Sequence, residues 1–228
     1  MDGLCRCRET AREIGQQYGF QFKIWMDAVQ AGPWDYQLTP EYLVPVIEEA
    51  LVTIQNALTR FPEGFLKNLS GDAQEVSICL VRQIQGLTDT PALETASGLQ
   101  FWQGENSFLV FCPGPDLERA VYHELCHMID SRILETTKAY DDWDALNPPG
   151  FSYGENATDP NAFVDAYAMT SPFEDRARIL ECAMMEDMDS LFQSPSLQKK
   201  LQTICAAIRQ AFGLDDSTPL PWEQYLNT

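Results

Sequence analysis

The chain contains two histidines, His123 and His127, and both lie in the segment HELCH with Glu124 between them. Residues four apart share one face of a helix, with about 5 to 6 Å between their Cβ atoms, so both imidazoles can reach one zinc ion. Glu124 is offset by one residue, which turns its carboxylate toward a water on the metal rather than toward the metal itself. A helix built only for packing has no reason to group two imidazoles and a carboxylate. The spacing therefore predicts two zinc ligands and a general base.

A third protein ligand is required, because catalytic zinc sites typically have three and leave the fourth position to water or substrate. No histidine remains, so this ligand must be Glu, Asp or Cys. Glu174 is one candidate, since it lies in the first turn of a helix predicted to begin at Ser171 and Pro172. The same residues also match a capping box, in which Glu174 would only accept a backbone N–H. From the residues alone both interpretations stay open, and Asp165 is a second candidate ligand.

The segments HELCHMID and YAMTSPFEDRA resemble the HExxH zinc metallopeptidases of the gluzincin type. More closely, they are similar to the putative zinc-binding metallopeptidase family of bacteria and to the catalytic domain of anthrax lethal factor. The resemblance covers about residues 116 to 190. It implies Glu174 as the third ligand, Tyr167 two helical turns before it as a stabiliser of the oxyanion, and Ala177 three residues after it. Cys126 departs from the pattern, because many members carry glycine there.

Other charged residues near these segments have two interpretations each. Asp175 is predicted either to orient a ligand histidine without touching the metal or to be a first-turn acid that the helix dipole favours. Asp130, one turn after His127, either supports that imidazole or is solvated, and solvation is the preferred interpretation. Glu181 is predicted to pair with Arg178. The segment GFSYG at 150–154 resembles metallopeptidases whose third ligand is an aspartate, which keeps that subclass open.

The segments before HELCH have the composition of strands and helices. VSICLV (76–81) reads as a strand, and GLQFWQ (98–103) and SFLVFC (107–112) read as a hairpin. The alternating residues 20–26 predict another strand, and Thr39 with Pro40 predicts the start of a long helix.

The segments from HELCH onward are predicted to be mainly helical. Asp116 is predicted to cap the HELCH helix, which runs to about residue 134. An irregular segment, 140–161, follows, and we expect it to shape the substrate cleft. Later helices are predicted from Ser171 to about Phe192 and from Ser194 to a stop before Gly213, with an extended tail after it.

Composition limits the partners. The 228 residues carry 15 Lys and Arg against 34 Asp and Glu, and a net charge of −19 repels phosphate backbones. No stretch approaches the roughly 18 apolar residues of a membrane span. We therefore expect no nucleic-acid partner and no membrane span. The charged start and the odd number of cysteines, seven, favour a cytoplasmic location for the sequence as written. Export or lipid anchoring with the signal removed is the alternative.

Together these patterns predict an α+β fold with a small sheet that includes antiparallel strands packed on the active-site helix, and the resemblance implies that this fold is of the zincin-like class. We expect a single domain over 1–228, with helices and sheet in 1–115 and a helical half carrying the ligands in 116–228. The predicted function is Zn²⁺-dependent hydrolysis of a peptide or protein substrate. A noncatalytic, zinc-stabilised peptide- or protein-binding module is the alternative, and Glu124 favours the enzyme because zinc binding alone does not require it.

Overall fold

The computed structural model describes residues 3–30, 32, 36–69, 75–86, 96–154 and 162–226. The chain divides into two compact units, Met1–Glu124 and Leu125–Thr228, and the division falls inside one continuous helix, α3 (Leu117–Thr136). The class is α+β, as the sequence predicts. The prediction of a single domain stays a prediction. No helix in the described ranges has both the length and the apolar composition needed to cross a bilayer.

The first unit is built on a mixed sheet. Its described strands are β1 (Gln21–Lys23), β2 (Tyr36–Pro40), β3 (Glu75–Gly86), β4 (Gly98–Gln103) and β5 (Asn106–Phe111). The order along the sheet is β1-β3-β5-β4, with β2 paired to the later part of β3. β3 runs parallel to β1 and β5, whereas β4 and β5 form the predicted antiparallel hairpin. Gly104 lies in its turn with a φ of 61°, a conformation that favours glycine.

Two helices accompany this sheet, α1 (Gly3–Tyr18) and α2 (Val44–Thr59), and they pack against each other. The apolar residues of α2 recur at helical spacing, so one stripe of the helix is removed from water. The most deeply buried of them are Ile47, Leu51, Ile54 and Leu58. The central strands β3 and β5 are apolar on both faces and are buried over most of their length.

Two predicted boundaries in the first unit are wrong. The strand predicted over 20–26 stops at Lys23, and a 3-10 helix, Trp25–Val29, takes over. Thr39 and Pro40 do not start α2. They end β2, where they lie opposite Gln83 and Val81 of β3. The preference of Thr39 and Pro40 for a helix start depends only on neighbouring residues. Here the pairing of β2 with β3, which is distant in the sequence, outweighs that preference.

The second unit contains the rest of α3 together with α4 (Pro172–Met184) and α5 (Pro195–Phe212). α5 matches its prediction and ends at Gly213, which has a left-handed φ of 61°. α4 stops before its predicted end at Phe192, and Asp187 just beyond it adopts a φ of 60° that no helix can contain.

The connections of the second unit are more ordered than the sequence predicts. The segment predicted to be irregular contains a 3-10 helix, Trp143–Leu146, while its residues 155–161 lie outside the described ranges. The predicted extended tail instead forms a 3-10 helix, Pro221–Glu223, whose Trp222 is fully buried. Gln224 Nε2 in this tail donates to the Ala183 carbonyl at the end of α4, at 2.8 Å.

Candidate metal centre

The segment HELCH lies in the middle of α3, so His123 and His127 are one helical turn apart on one face. The apolar residues on the other sides of this part of α3 are buried, so the face that carries the two histidines is the one left partly exposed. The buried apolar residues of this stretch are Val121, Tyr122, Leu125, Cys126, Met128 and Ile129. Both histidines are partly exposed, whereas Glu124 between them is only 6% exposed. The helical period thus presents the imidazoles together and holds a carboxylate beside them.

Glu174 lies in the first turn of α4, where the sequence predicts it. Ser171 caps the helix, since its hydroxyl accepts from the Glu174 backbone N–H at 3.2 Å, and Pro172 is the first helical residue. The Glu174 carboxylate extends to α3, with Oε2 at 3.6 Å from His127 Nε2. Glu174 therefore has both predicted features: its backbone N–H takes part in the Ser171 cap, and its carboxylate lies beside a histidine.

His123, His127 and Glu174 form a group in which one ligand atom from each lies within 4.8 Å of the others. Around a tetrahedral zinc ion with bonds of 2.0 to 2.1 Å, neighbouring ligand atoms are about 3.3 to 3.4 Å apart. The 3.6 Å between His127 and Glu174 is close to that spacing. Two imidazole nitrogens and one carboxylate oxygen are also a donor set that zinc accepts. The group therefore fits a zinc ion with a fourth position left for water or substrate.

Tyr167 lies outside the helix that carries Glu174. It begins a separate 3-10 helix, Tyr167–Met169, and lies four residues before Ser171, the cap of α4. The resemblance implies a tyrosine two helical turns before the glutamate, whereas here the chain bends at Thr170 and is extended at Ser171, so the two residues do not share one helix. Its side chain is 49% exposed, so its phenol is accessible from solution. Its role on the substrate stays a prediction.

Asp175 is fully buried and is bound by three donors rather than exposed at the helix end. Its Oδ2 accepts from Lys200 Nζ at 2.7 Å, from the Tyr153 hydroxyl at 2.7 Å and from Trp143 Nε1 at 3.2 Å. Burial raises the pKa of Asp175, while the Lys200 ammonium and the hydrogen bonds oppose that rise. Burial and the neighbouring Asp175 raise the pKa of Tyr153, so its phenol keeps the proton that it donates. These contacts of Asp175 link α4 to Lys200 of α5, and to Trp143 and Tyr153 in the segment that precedes α4.

Asp130 is 3% exposed, so the prediction that it is solvated is wrong. Arg176 of α4 binds it with two hydrogen bonds, Nε to Oδ1 at 2.5 Å and Nη2 to Oδ2 at 2.8 Å. The guanidinium also lies over the rings of Tyr140, Trp143 and Phe173, at 4.5, 5.4 and 5.1 Å from their centroids. Burial raises the pKa of Asp130, and the Arg176 guanidinium acts against it. This pair could not be predicted from local sequence patterns, because Asp130 lies on α3 and Arg176 on α4.

Asp165, the alternative third ligand, forms an ion pair with Arg178 and accepts from the Ala168 backbone N–H at 2.9 Å. Burial works against ionisation of Asp165, but the hydrogen bonds from Arg178 and Ala168 outweigh it and lower the pKa of this carboxyl. Arg178 also donates to Glu181 at 2.5 Å, as the sequence predicts. Asp165 is thus engaged by a cation and does not belong to the group of His123, His127 and Glu174.

The buried positions of Lys200 and Arg176 are not predicted from the sequence. Lys200 is fully buried although lysine is among the residues least often found inside proteins. Its position carries a signal, because it lies three residues after Leu197 and four before Ile204, on the apolar face of α5. Arg176 carries no comparable signal, since its neighbours Asp175 and Ala177 are compatible with either a buried or an exposed face.

No protein-family model and no curated protein matches the chain. Among solved structures, it is similar to a putative zinc-binding metallo-peptidase from Bacteroides caccae. The two chains superpose with a TM-score of 0.60 at 13% sequence identity, over 93% of this chain and 88% of the other. At this identity the likeness concerns the fold alone. The chain therefore has a metallopeptidase-like α+β fold.

Proposed function

We propose that this protein is a zinc-dependent peptidase of the gluzincin type, with His123, His127 and Glu174 as metal ligands and Glu124 as general base. The observation that carries the proposal is the grouping of the chain's two histidines with a carboxylate from another helix. The fold of the structural neighbour supports it, because that protein is also described as zinc-binding. The resemblance of HELCHMID and YAMTSPFEDRA to lethal factor and its bacterial relatives points the same way.

The chain's own residues have separate tasks in this reaction. A zinc ion in the group would supply Lewis-acid polarisation of the scissile carbonyl and lower the pKa of water to about 7. Glu124 accepts a proton from the attacking water and returns it to the leaving amine. Its nearly complete burial keeps this carboxylate from bulk water, which strengthens its interactions with the reacting groups. The Tyr167 hydroxyl donates to the oxyanion that develops on the substrate carbonyl.

The decisive experiment compares Glu124→Gln with the wild-type protein. Zinc content is measured by elemental analysis, and cleavage of a peptide library is followed by mass spectrometry with and without chelator. We expect the wild type to cut peptides only with zinc present. Glu124→Gln should keep the metal and lose hydrolysis, because glutamine has the shape of glutamate but cannot accept the proton.

Glu135→Gln is the matched control, since Glu135 is an exposed residue of the same helix and the chemical change is identical. It should leave zinc content and hydrolysis unchanged. A wild type that binds zinc but cuts neither peptides nor a panel of nonpeptide amides would identify a noncatalytic zinc-binding module. A wild type without zinc would reject the site, and undiminished hydrolysis by Glu124→Gln would reject the general base.

A further inference from the structure

Three consecutive residues at the start of α4, Glu174, Asp175 and Arg176, project toward three different parts of the protein. Successive residues of an α-helix point about 100° apart, so each of the three side chains leaves the helix in its own direction. Glu174 extends toward His127. Asp175 extends toward Lys200 of α5, and Arg176 toward Asp130 of α3. The candidate ligand is thus followed at once by two residues that tie its helical turn to neighbouring helices.

The ion pair of Arg176 and Asp130 connects the two ligand-bearing helices directly. Asp130 is three residues beyond His127 on α3, and Arg176 is two residues beyond Glu174 on α4. Both side chains are at least 95% buried, and the guanidinium binds both carboxylate oxygens. Two hydrogen bonds between a planar guanidinium and a carboxylate fix the relative orientation of the two groups as well as their distance. The three aromatic rings around Arg176 leave it little freedom to turn.

The ion pair of Asp175 and Lys200 holds the same helical turn from a second direction. Lys200 is fully buried, with Nζ at 2.7 Å from Asp175 Oδ2 and 3.1 Å from the Ala162 carbonyl. Its ammonium also lies 3.7 Å from the centroid of the Phe163 ring. Trp143 and Tyr153 complete the contacts of the Asp175 oxygen. The first turn of α4 is therefore attached to α3 on one side and to α5 on another.

Stability alone does not account for two such pairs. Removing two charges from water is costly, and well-packed apolar residues in place of a buried ion pair are often neutral or stabilising. Directed charge-assisted hydrogen bonds do, however, define position more sharply than apolar contacts. A zinc ligand needs such definition, because bond lengths must fall within about 0.2 Å of their preferred values.

We propose that the buried pairs Asp130–Arg176 and Asp175–Lys200 are positioning residues that hold the Glu174 carboxylate at its distance from His127. The inference rests on the proposed function, since it concerns the third ligand of that site. Neither pair touches the metal in this scheme. Each acts through the first turn of α4, and disturbing either should lower zinc affinity in a protein that remains folded.

Asp130→Leu with Arg176→Met tests the first pair without leaving a charge buried alone. Zinc affinity is measured on metal-free protein by competition with a chromophoric chelator, well below the unfolding midpoint. We expect the dissociation constant to rise about 10- to 100-fold, the range typical when residues that orient ligands are changed. Arg176→Lys provides a milder second variant, because it keeps the charge and the fold but loses the two-point fork. It should weaken zinc binding in the same direction.

Asp175→Asn with Lys200→Met tests the second pair. The asparagine oxygen can still accept from Tyr153 and Trp143, so these two hydrogen bonds stay. The charge pair is removed, together with the contacts of the Lys200 ammonium with the Ala162 carbonyl and the Phe163 ring. Replacement of zinc by Co²⁺ adds a measurement that does not depend on overall stability, because the visible absorption bands of bound Co²⁺ report its coordination geometry. Both double variants should show altered band positions or intensities relative to the wild type.

The matched control is the pair Arg209–Glu223, which is also held by two hydrogen bonds, at 2.9 and 2.6 Å, and joins α5 to the C-terminal 3-10 helix. Arg209→Met with Glu223→Leu should leave zinc affinity unchanged. If the wild type binds zinc and every folded variant, including Arg176→Lys, binds it equally well, the positioning role is overturned while the proposed function stands. If the wild type binds no zinc, the proposed function fails and this inference fails with it.

Discussion

Gly98, the first residue of β4, lies directly against Glu124 of α3. A Cβ atom at Gly98 would stand 2.9 Å from Glu124 Oε1, 3.0 Å from its Cγ and 3.3 Å from the Ala120 Cβ. Real Cβ atoms do not approach so closely, so any side chain at this position must move the glutamate. Position 98 therefore needs glycine because a side chain there would collide with the carboxylate of Glu124, the proposed general base, and not because of its backbone conformation.

Gly98→Ala should impair hydrolysis more than it impairs folding. The nearest atom is the far end of a flexible side chain, so Glu124 can swing aside with little loss of stability. A general base displaced by about 1 Å can lower the rate about 100-fold. We expect kcat/KM for a cleaved peptide to fall by that order, with zinc content and the unfolding midpoint nearly unchanged.

Gly114→Ala is the control for this experiment, because a Cβ atom there would meet nothing within 4 Å. It should behave as the wild type in all three measurements. Equal kcat/KM values for Gly98→Ala and the wild type would show that the contact with Glu124 has no part in the reaction.

The identity of the third ligand can be tested by comparing Glu174→Ala with Asp165→Ala. The Glu174 carboxylate lies beside His127, whereas Asp165 is paired with Arg178. Glu174→Ala should therefore lower the zinc affinity at least about 10-fold, and Asp165→Ala should leave it within about twofold of the wild type. Titration of metal-free protein with zinc and a competing chelator measures both. The opposite ranking would make Asp165 the ligand and place the site in the aspartate subclass.

Tyr167→Phe removes only the hydroxyl that is proposed to stabilise the oxyanion. Loss of one such donor typically lowers kcat about 100- to 1,000-fold. We expect that loss with zinc affinity and KM largely retained, since the phenol would act only on the transition state. Tyr42→Phe is the matched control, because both tyrosines are 49% exposed and the Tyr42 hydroxyl donates to the Met26 sulfur at 3.1 Å, which has no part in the proposed reaction. A Tyr167→Phe enzyme with unchanged kcat would remove this residue from the mechanism.

The cysteines of the first unit should differ in reactivity with pH. Cys5 is exposed, whereas burial raises the pKa of Cys112 to about 11 and that of Cys79 to about 12. Burial disfavours the charged thiolate, so at pH 8 only about one Cys112 in 1,000 carries the nucleophilic form. Alkylation of Cys112 should rise about tenfold per pH unit from pH 8 to 10, with Cys5 modified well before it. Peptide mapping by mass spectrometry measures these rates, and equal labelling of both at pH 8 would contradict the described burial.

Several structural features could be predicted from the sequence because they depend on local spacing. The helix around HELCH and the hairpin of β4 and β5 follow from residue periodicity and from a turn that contains Gly104. The cap of α4 follows from Ser171 and Pro172, whose preferences act within one turn. The false helix start at Thr39 shows where such reasoning fails. The same residues satisfy a strand once β3 lies beside them.

The amino-acid order alone places two imidazoles on one helical face with a carboxylate between them, because that arrangement needs nothing beyond the period of an α-helix. Only the folded chain decides that Glu174 comes to 3.6 Å from His127. It also decides that Asp130 and Lys200 are buried ion-pair partners rather than solvated charges. The reason is that a charged residue, considered by its type alone, is expected to be exposed to water. Its burial becomes possible only through an oppositely charged partner, and that partner lies on a helix far along the chain.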